Sequence, residues 1–259
     1  MKPQVVLVGR AQRAPRPACE GYNTVRRNAL QRLERLVFII GFAALLGMVV
    51  LGARSTGMGI PWQAAVPPAL RPPLWNTEIA LISGHAGFDS GAVCTDADGK
   101  VTLTEAQVNA AVTAAAAELL HGHGATVTVL EEYDTRLNGL RTDLLLSLHA
   151  DSCIGASGYK AAVYVHSANP QADAAILACI DTHYPAVTGL PHHPNTVTHD
   201  MTEYHAFRRI ATGTPAVILE LGFLGGDQAL LRDEPARVAQ GVVESILCFF
   251  NPPATPTPD

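Results

Sequence analysis

Charge is scarce in this chain, and clustered basic charge is scarcer still. Only 16% of the 259 residues are charged, the formal net charge is -5, and no long Lys or Arg run follows the N-terminal region. Nucleic-acid binding needs a clustered basic surface that neutralises phosphates, so a nucleic-acid partner is not predicted. Hydrophobic residues make up 48% of the chain, which is enough for one substantial core and one catalytic-size domain with accessories.

Charge is absent altogether from residues 36–53, an apolar stretch close to the roughly 20 residues that cross a bilayer as a helix. On the C-terminal side of this stretch, the nearby basic residues are mainly Arg54 and Arg71. The positive-inside rule therefore predicts a cytoplasmic basic segment at 1–35, a transmembrane helix at 36–53, and an extracytoplasmic remainder of a single-pass cell-membrane protein. The basic residues that precede the stretch are Lys2, Arg10, Arg13, Arg16, Arg26, Arg27, Arg32 and Arg35.

A cleaved signal peptide and a buried core helix are the alternatives for this stretch. The basic region before it is long, Leu51-Gly52-Ala53 is a poor small-x-small cleavage site, and no lipoprotein-type Cys follows the apolar run. A retained helix is therefore favoured. Residues 54–76 and 251–259 are Pro-rich and lack periodicity, so they are interpreted as a linker and a tail around a domain at 77–250.

Within that domain, short apolar runs rich in β-branched residues alternate with Ala-rich stretches. Such near-continuous apolar strands are typical of a mostly parallel sheet covered by helices on both faces. The predicted fold is a three-layer α/β/α sandwich, phosphorylase/hydrolase-like, with a loop-like stretch from about 188 to 204. Strands are predicted at 78–83, 125–130, 143–149, 161–166 and 216–221, and helices near 105–121, 171–182 and 234–250.

The predicted strands end in residues that bind or work beside metals. His85 follows the first strand, His149 closes the 143–149 strand, and Glu220 lies near the end of the 216–221 strand. Ligands of open parallel sheets bind beyond the carboxyl ends of the strands, so these side chains are expected to converge. Thr104 and Gln107 have capping-box spacing, which starts a helix at Glu105 and directs its first turn toward the same edge.

Two imidazoles and one carboxylate form a common catalytic zinc shell that leaves a position for water. A second carboxylate is then needed to take the proton of that water and pass it to the departing amine. From residue types alone, either Glu105 or Glu220 could be the ligand, with the other as the general base.

These residues resemble the zinc-dependent N-acetylmuramoyl-L-alanine amidases of the type often called amidase family 3. Ser-Gly-His-Ala-Gly at 83–87 is similar to the family's Gly-His-Gly-Gly turn, and Thr104-Glu105 with Asn109 to its helix Glu. Ser-Leu-His-Ala-Asp at 147–151 is similar to its Ser-Ile-His-Ala-Asn strand end, and PAVILELGFL at 215–224 to its segment with the second Glu. The order and approximate separations agree.

The resemblance covers roughly residues 77–250 and implies a function. It implies that His85, Glu105 and His149 bind Zn²⁺, that Glu220 is the catalytic carboxylate, and that the substrate is peptidoglycan, cut between N-acetylmuramic acid and L-alanine. The chain departs from the family pattern at Ala86, Asp151 and Gly226, and its stretch from 129 to 144 is shorter than the family's excursion there. That shortening affects substrate contacts rather than the metal ligands. A zinc peptidase acting on another peptide and a noncatalytic wall-binding protein are the alternative functions.

The remaining histidines and the cysteines lead to further expectations. His121 and His123 end the long helix, where they complement its C-terminal carbonyls. His199 and His205 are the loop histidines that we single out as possible cleft residues. Cys94 and Cys153 lie on loops that converge at the same edge of the sheet, and we expect them to form a disulfide. Cys179 and Cys248 are expected to be buried small hydrophobes, and Cys19 to be cytoplasmic and reduced.

Overall fold

The computed structural model describes residue 33, residues 35–42 and residues 66–252. The chain divides into two units, Met1–Pro67 and Pro68–Asp259. In the first unit, the described residues 33 and 35–42 are helical and exposed. Residues 43–53 of the predicted membrane helix, residues 54–65 of the linker and residues 253–259 of the tail lie outside the described residues. No helix in the described ranges has both the length and the apolar character that crossing a membrane requires.

The described part of the second unit contains the strands β1 (Glu78–Ser83), β2 (Val93–Thr95), β3 (Val101–Thr104), β4 (Thr126–Leu130), β5 (Leu144–Asp151), β6 (Lys160–Ala162) and β7 (Ala216–Phe223). Five of them form a sheet with the strand order β4-β1-β5-β7-β6. The β1, β4, β5 and β7 strands pair in parallel, and β6 pairs antiparallel with β7 at one edge. A separate two-stranded hairpin, β2–β3, was not predicted.

The central strands are buried on both faces, as their continuous apolar runs predict. The prediction of a mostly parallel sheet with flanking helices is confirmed. In the described part of the second unit, five α-helices accompany the strands: α1 (Glu105–Gly122), α2 (Pro170–Thr188), α3 (His199–Thr202), α4 (Gln228–Asp233) and α5 (Pro235–Phe250).

The two faces of the sheet are covered differently. The long helices α1, α2 and α5 contribute Val112, Ile180 and Val242 to a core with alternate strand residues such as Leu146. On the other face, Leu145 and its neighbours pack against side chains from 201–207, which belong to short helical turns. The third layer is therefore thin, because the chain crosses that face in the segment from 194 to 208 without a long helix.

Helix α1 begins where the capping residues predict. The Thr104 side chain accepts from the Gln107 amide, and the Gln107 side chain accepts from the Thr104 amide. This reciprocal capping satisfies donors that would otherwise be unpaired at the helix start. Glu105 is thereby held in the first turn of α1.

Two disulfides link distant parts of the domain. Cys94 on β2 is bonded to Cys153, just beyond β5, with Cα atoms 5.4 Å apart, which confirms the predicted pair. Cys179 on α2 is bonded to Cys248 on α5, with Cα atoms 5.7 Å apart. The expectation that these two cysteines are unpaired small hydrophobes is wrong, because the close packing of α2 against α5 brings both thiols within bonding distance.

Candidate metal centre

His85 occupies a tight turn directly after β1. Its φ is 65°, a left-handed conformation that non-glycine residues rarely adopt outside turns and functional sites. The turn is held by a hydrogen bond from the Ala86 amide to the Ser83 carbonyl. Gly84 precedes it, and a Cβ there would lie 2.6 Å from the His149 ring. The glycine therefore allows the two imidazoles to approach, with ring centroids 5.1 Å apart.

Glu105 reaches between the two imidazoles from the start of α1. Its Oε1 lies 3.2 Å from His85 Nε2 and 3.0 Å from His149 Nδ1. Its Oε2 accepts from the Ala92 amide at 3.0 Å. His149 is buried near the end of β5. One donor atom from each of His85, Glu105 and His149 lies within 4.8 Å of the others, so the group could hold a metal ion.

The charges of this cluster are tightly coupled. Hydrogen bonding to Glu105 raises the pKa of His85 to about 9, against the lowering effect of burial, and Asp89 adds to the rise. Burial favours neutral Glu105, but the hydrogen bonds with His149 and His85 outweigh it and lower the pKa of that carboxyl. Burial lowers the pKa of His149, yet the Glu105 bond raises it overall. An ionised carboxylate shared by two imidazoles is a donor set that suits a divalent cation.

The second ring nitrogen of each imidazole faces another carboxylate. His85 Nδ1 is 2.6 Å from Asp89 Oδ1, and His149 Nε2 is 3.5 Å from Glu132 Oε2. Metal-binding histidines usually use their other nitrogen in this way, which sets the tautomer and the ring orientation. The surroundings of the cluster therefore also fit a metal site.

Glu132 is a site residue that the sequence interpretation did not single out. It is buried, and its Oε1 accepts from Tyr204 Oη at 2.7 Å and lies 2.8 Å from His205 Nε2. Its Oε2 accepts from the His85 amide at 2.8 Å. Burial raises its pKa, but the His205 bond and the His149 charge lower it to about 2. The available signal was its place just after β4, at the same carboxyl edge of the sheet as the histidines.

Glu220 stands beside this group on β7. It pairs in register with His149 on β5 and with Lys160 on β6. Its Oε2 is buried and has no hydrogen-bond partner among the described residues. Burial raises the pKa of Glu220 to about 7, partly countered by His149. A buried carboxyl that changes protonation near neutral pH is suited to proton transfer.

The structure thus brings the predicted residues His85, Glu105, His149 and Glu220 to one edge of the sheet. Of the two loop histidines singled out from the sequence, only His205 reaches this region, through Glu132. The His199 side chain is 84% exposed beside Asp200.

Comparisons with known proteins identify a family and solved structures with a similar fold. The model of one family, described as N-acetylmuramoyl-L-alanine amidase, matches residues 79–248. No curated protein sequence matches the chain. Among solved structures, the chain is similar to the CwlD amidase from Clostridioides difficile, determined in complex with the GerS lipoprotein, at a TM-score of 0.54 and 19% identity, covering 68% of this chain and 99% of that one.

Two further structures have the same fold. The N-acetylmuramyl-L-alanine amidase Ami1 from Mycobacterium smegmatis has a TM-score of 0.52 at 16% identity, covering 69% of this chain and 98% of that one. The amidase AmiC2 of Nostoc punctiforme has a TM-score of 0.52 at 18% identity, covering 68% and 97%. The family model spans well over half of the chain, from β1 to α5. The chain therefore belongs to the N-acetylmuramoyl-L-alanine amidase family.

Proposed function

We propose that this protein is a zinc-dependent hydrolase that cuts the amide bond between N-acetylmuramic acid and L-alanine in peptidoglycan. The observation that carries the proposal is the cluster of His85, Glu105 and His149, whose donor atoms lie within 4.8 Å of one another beside Glu220. Family membership supports the choice of amide bond.

His85, Glu105 and His149 would hold the metal through Nε2, Oε1 and Nδ1, the atoms that already converge. Two imidazoles and one carboxylate are a frequent zinc set in hydrolases. Zinc held there would supply an acidified water and would polarise the amide carbonyl.

The protein's own groups perform the remaining work. Asp89 orients the His85 imidazole through Nδ1, and Glu132 orients the His149 imidazole through Nε2. Glu220 has a buried oxygen with no hydrogen-bond partner among the described residues. It takes the proton of the attacking water and donates it to the departing alanine nitrogen. Protonation of that nitrogen is required because an amide anion is a poor leaving group.

We also propose that the catalytic domain works outside the cytoplasm, tethered by residues 36–53. Two disulfides support this placement, because they persist in oxidising compartments and are rare in the cytosol. The uneven distribution of basic residues around the apolar stretch supports the same orientation.

Metal analysis and product analysis of the full chain together test the proposed reaction. We expect one zinc per chain, and a new free L-alanine amine with a free muramic-acid lactyl carboxylate from purified peptidoglycan. His85→Ala should lose both the metal and the activity. Cleavage at another amide of the stem peptide would contradict the proposed bond specificity. Full activity without metal would contradict the proposed role of zinc.

A further inference from the structure

Phe88 and Tyr133 are unusual on the surface of this domain. Their relative exposures are 63% and 50%, and no other Phe, Tyr or Trp within residues 66–252 falls in the exposed class. Single exposed hydrophobics are common and need no explanation. These two are a pair, however, since their ring centroids lie 4.7 Å apart in an edge-to-face arrangement.

The pair is held in place by the metal centre. The Tyr133 ring stacks on His205 at 4.3 Å with an interplanar angle of 30°, and His205 is bound to Glu132. Phe88 lies on the turn of His85, and its amide donates to the His85 carbonyl at 3.1 Å. The rings are therefore pre-positioned at the rim of the site, which lowers the entropic cost of binding a ligand.

The polar surroundings of the pair are acidic. Asp89 follows Phe88 and is half exposed. The exposed Glu131 carboxylate lies against Gly87, where a Cβ would collide with it. Carboxylates accept hydrogen bonds from hydroxyl groups and repel anions, and the negative face of an aromatic ring attracts C–H groups. A neutral ligand with a C–H face and a few O–H or N–H donors matches this composition.

We propose that Phe88 and Tyr133 form a subsite that stacks against the pyranose ring of the muramic acid whose lactyl amide is cut. This inference rests on the proposed function and specifies which side of the scissile bond the subsite binds. The peptide side begins with L-alanine, whose single methyl group offers little area to two aromatic rings. The sugar side presents a C–H face of matching size, and its C6 hydroxyl and acetamido N–H are hydrogen-bond donors for Asp89 and Glu131.

A pair of substrates that differ only in the sugar tests this assignment. One is an N-acetylmuramoyl peptide, and the other is the D-lactoyl peptide of the same sequence, which keeps the scissile amide and lacks the pyranose. With the full chain carrying its metal, Phe88→Ala and Tyr133→Ala should each lower kcat/KM on the muramoyl peptide about tenfold. Both variants should leave kcat/KM on the lactoyl peptide within about twofold of the original chain.

Leu70→Ala is the matched control, because Leu70 is 73% exposed and lies outside the metal centre. It should alter neither reaction. Phe88→Trp retains an aromatic face and should keep most of the activity on the muramoyl peptide. Equal losses on both substrates, or no loss on either, would overturn the sugar subsite.

A binding experiment separates this proposal from the proposed reaction. Saturation-transfer NMR uses the disaccharide of N-acetylglucosamine and N-acetylmuramic acid with its lactyl carboxyl reduced to the alcohol, which makes the probe neutral and uncleavable. It should give pyranose signals with the original chain, and these should disappear in Phe88→Ala and Tyr133→Ala. If the original chain cuts neither peptide, the proposed function fails and this binding result alone decides the subsite. Pyranose signals that persist in both variants would refute it.

Discussion

Glu132 Oε2 faces His149 Nε2 at 3.5 Å, on the side of the ring opposite Glu105. The same oxygen accepts from the His85 amide, so one carboxylate contacts both histidines of the cluster. Tyr204 and His205 occupy its other oxygen. The segment that covers the second face of the sheet is therefore connected by hydrogen bonds to the cluster of His85, Glu105 and His149.

This relationship predicts a loss of metal affinity in Glu132→Ala. Removing the carboxylate frees the His149 ring, and changes at such supporting positions typically weaken metal affinity about 10–100-fold. Competition with a chromophoric chelator measures the affinity. Glu131→Gln changes the adjacent exposed carboxyl and should leave metal affinity unchanged. Unaltered zinc affinity in Glu132→Ala would remove its positioning role.

Glu220→Gln should separate metal binding from catalysis. The amide cannot accept the proton of water, and losing general acid-base catalysis costs a factor of about 10² to 10⁴ in rate. Zinc content should stay at the original level, since the three converging donors are intact. Glu118→Gln, an exposed change on α1, should leave the rate unaltered. A Glu220→Gln protein with undiminished kcat would exclude Glu220 as the proton carrier.

Metal binding should strengthen as pH rises toward 9. The pKa of His85 is raised from 6.5 to about 9 in the metal-free protein, so below that pH a proton must leave before Nε2 can bind a metal. Affinity should therefore fall about tenfold per pH unit for each proton displaced. Titration calorimetry between about pH 6 and pH 8.5 in buffers of different ionisation enthalpy would count those protons, and an affinity independent of pH would contradict the shift.

The raised pKa of His85 has the opposite consequence for the stability of the metal-free chain, which should fall as pH rises. A raised pKa means that protonated His85 stabilises the fold, with the full contribution below about pH 6.5 and its loss as pH rises through about 9. Asp89→Asn removes one carboxylate that raises this pKa. In Asp89→Asn, the loss of unfolding free energy with rising pH should end at a lower pH than in the original chain. Chemical denaturation at a series of pH values would measure this.

The two disulfides should have similar effects on stability and different effects on the site. They close chain separations of 59 and 69 residues, so replacing either pair with serine should lower the free energy of unfolding by up to about 4 kcal/mol. Only the Cys94 and Cys153 pair adjoins the site. Ala92, near Cys94, accepts from the Glu105 amide through its carbonyl, and its own amide donates to Glu105 Oε2.

Metal affinity should therefore drop in the double serine variant of Cys94 and Cys153. It should remain in the variant of Cys179 and Cys248, which serves as the stability-matched control. Chemical denaturation would first check that both variants are folded, and competition with a chelator would then measure their metal affinities. Equal metal affinities in the two variants would show that the hairpin needs no covalent link to support Glu105.

The sequence by itself determined the parallel core, the start of α1 and the residues that converge near His85. These features depend on local patterns: apolar runs long enough for buried strands, a capping box at Thr104, and polar groups at strand ends that share one edge. The pairing of Cys94 with Cys153 followed from the same shared edge.

Only the tertiary structure decided the partners of Glu132, the Cys179 bond to Cys248 and the thin layer over the second face. Each of these depends on how distant segments pack and on where their side chains point. Tyr204 and His205 lie more than 70 residues from Glu132 along the chain. No local periodicity encodes such contacts, because they form only when the sheet register and the path of the covering segment are both set.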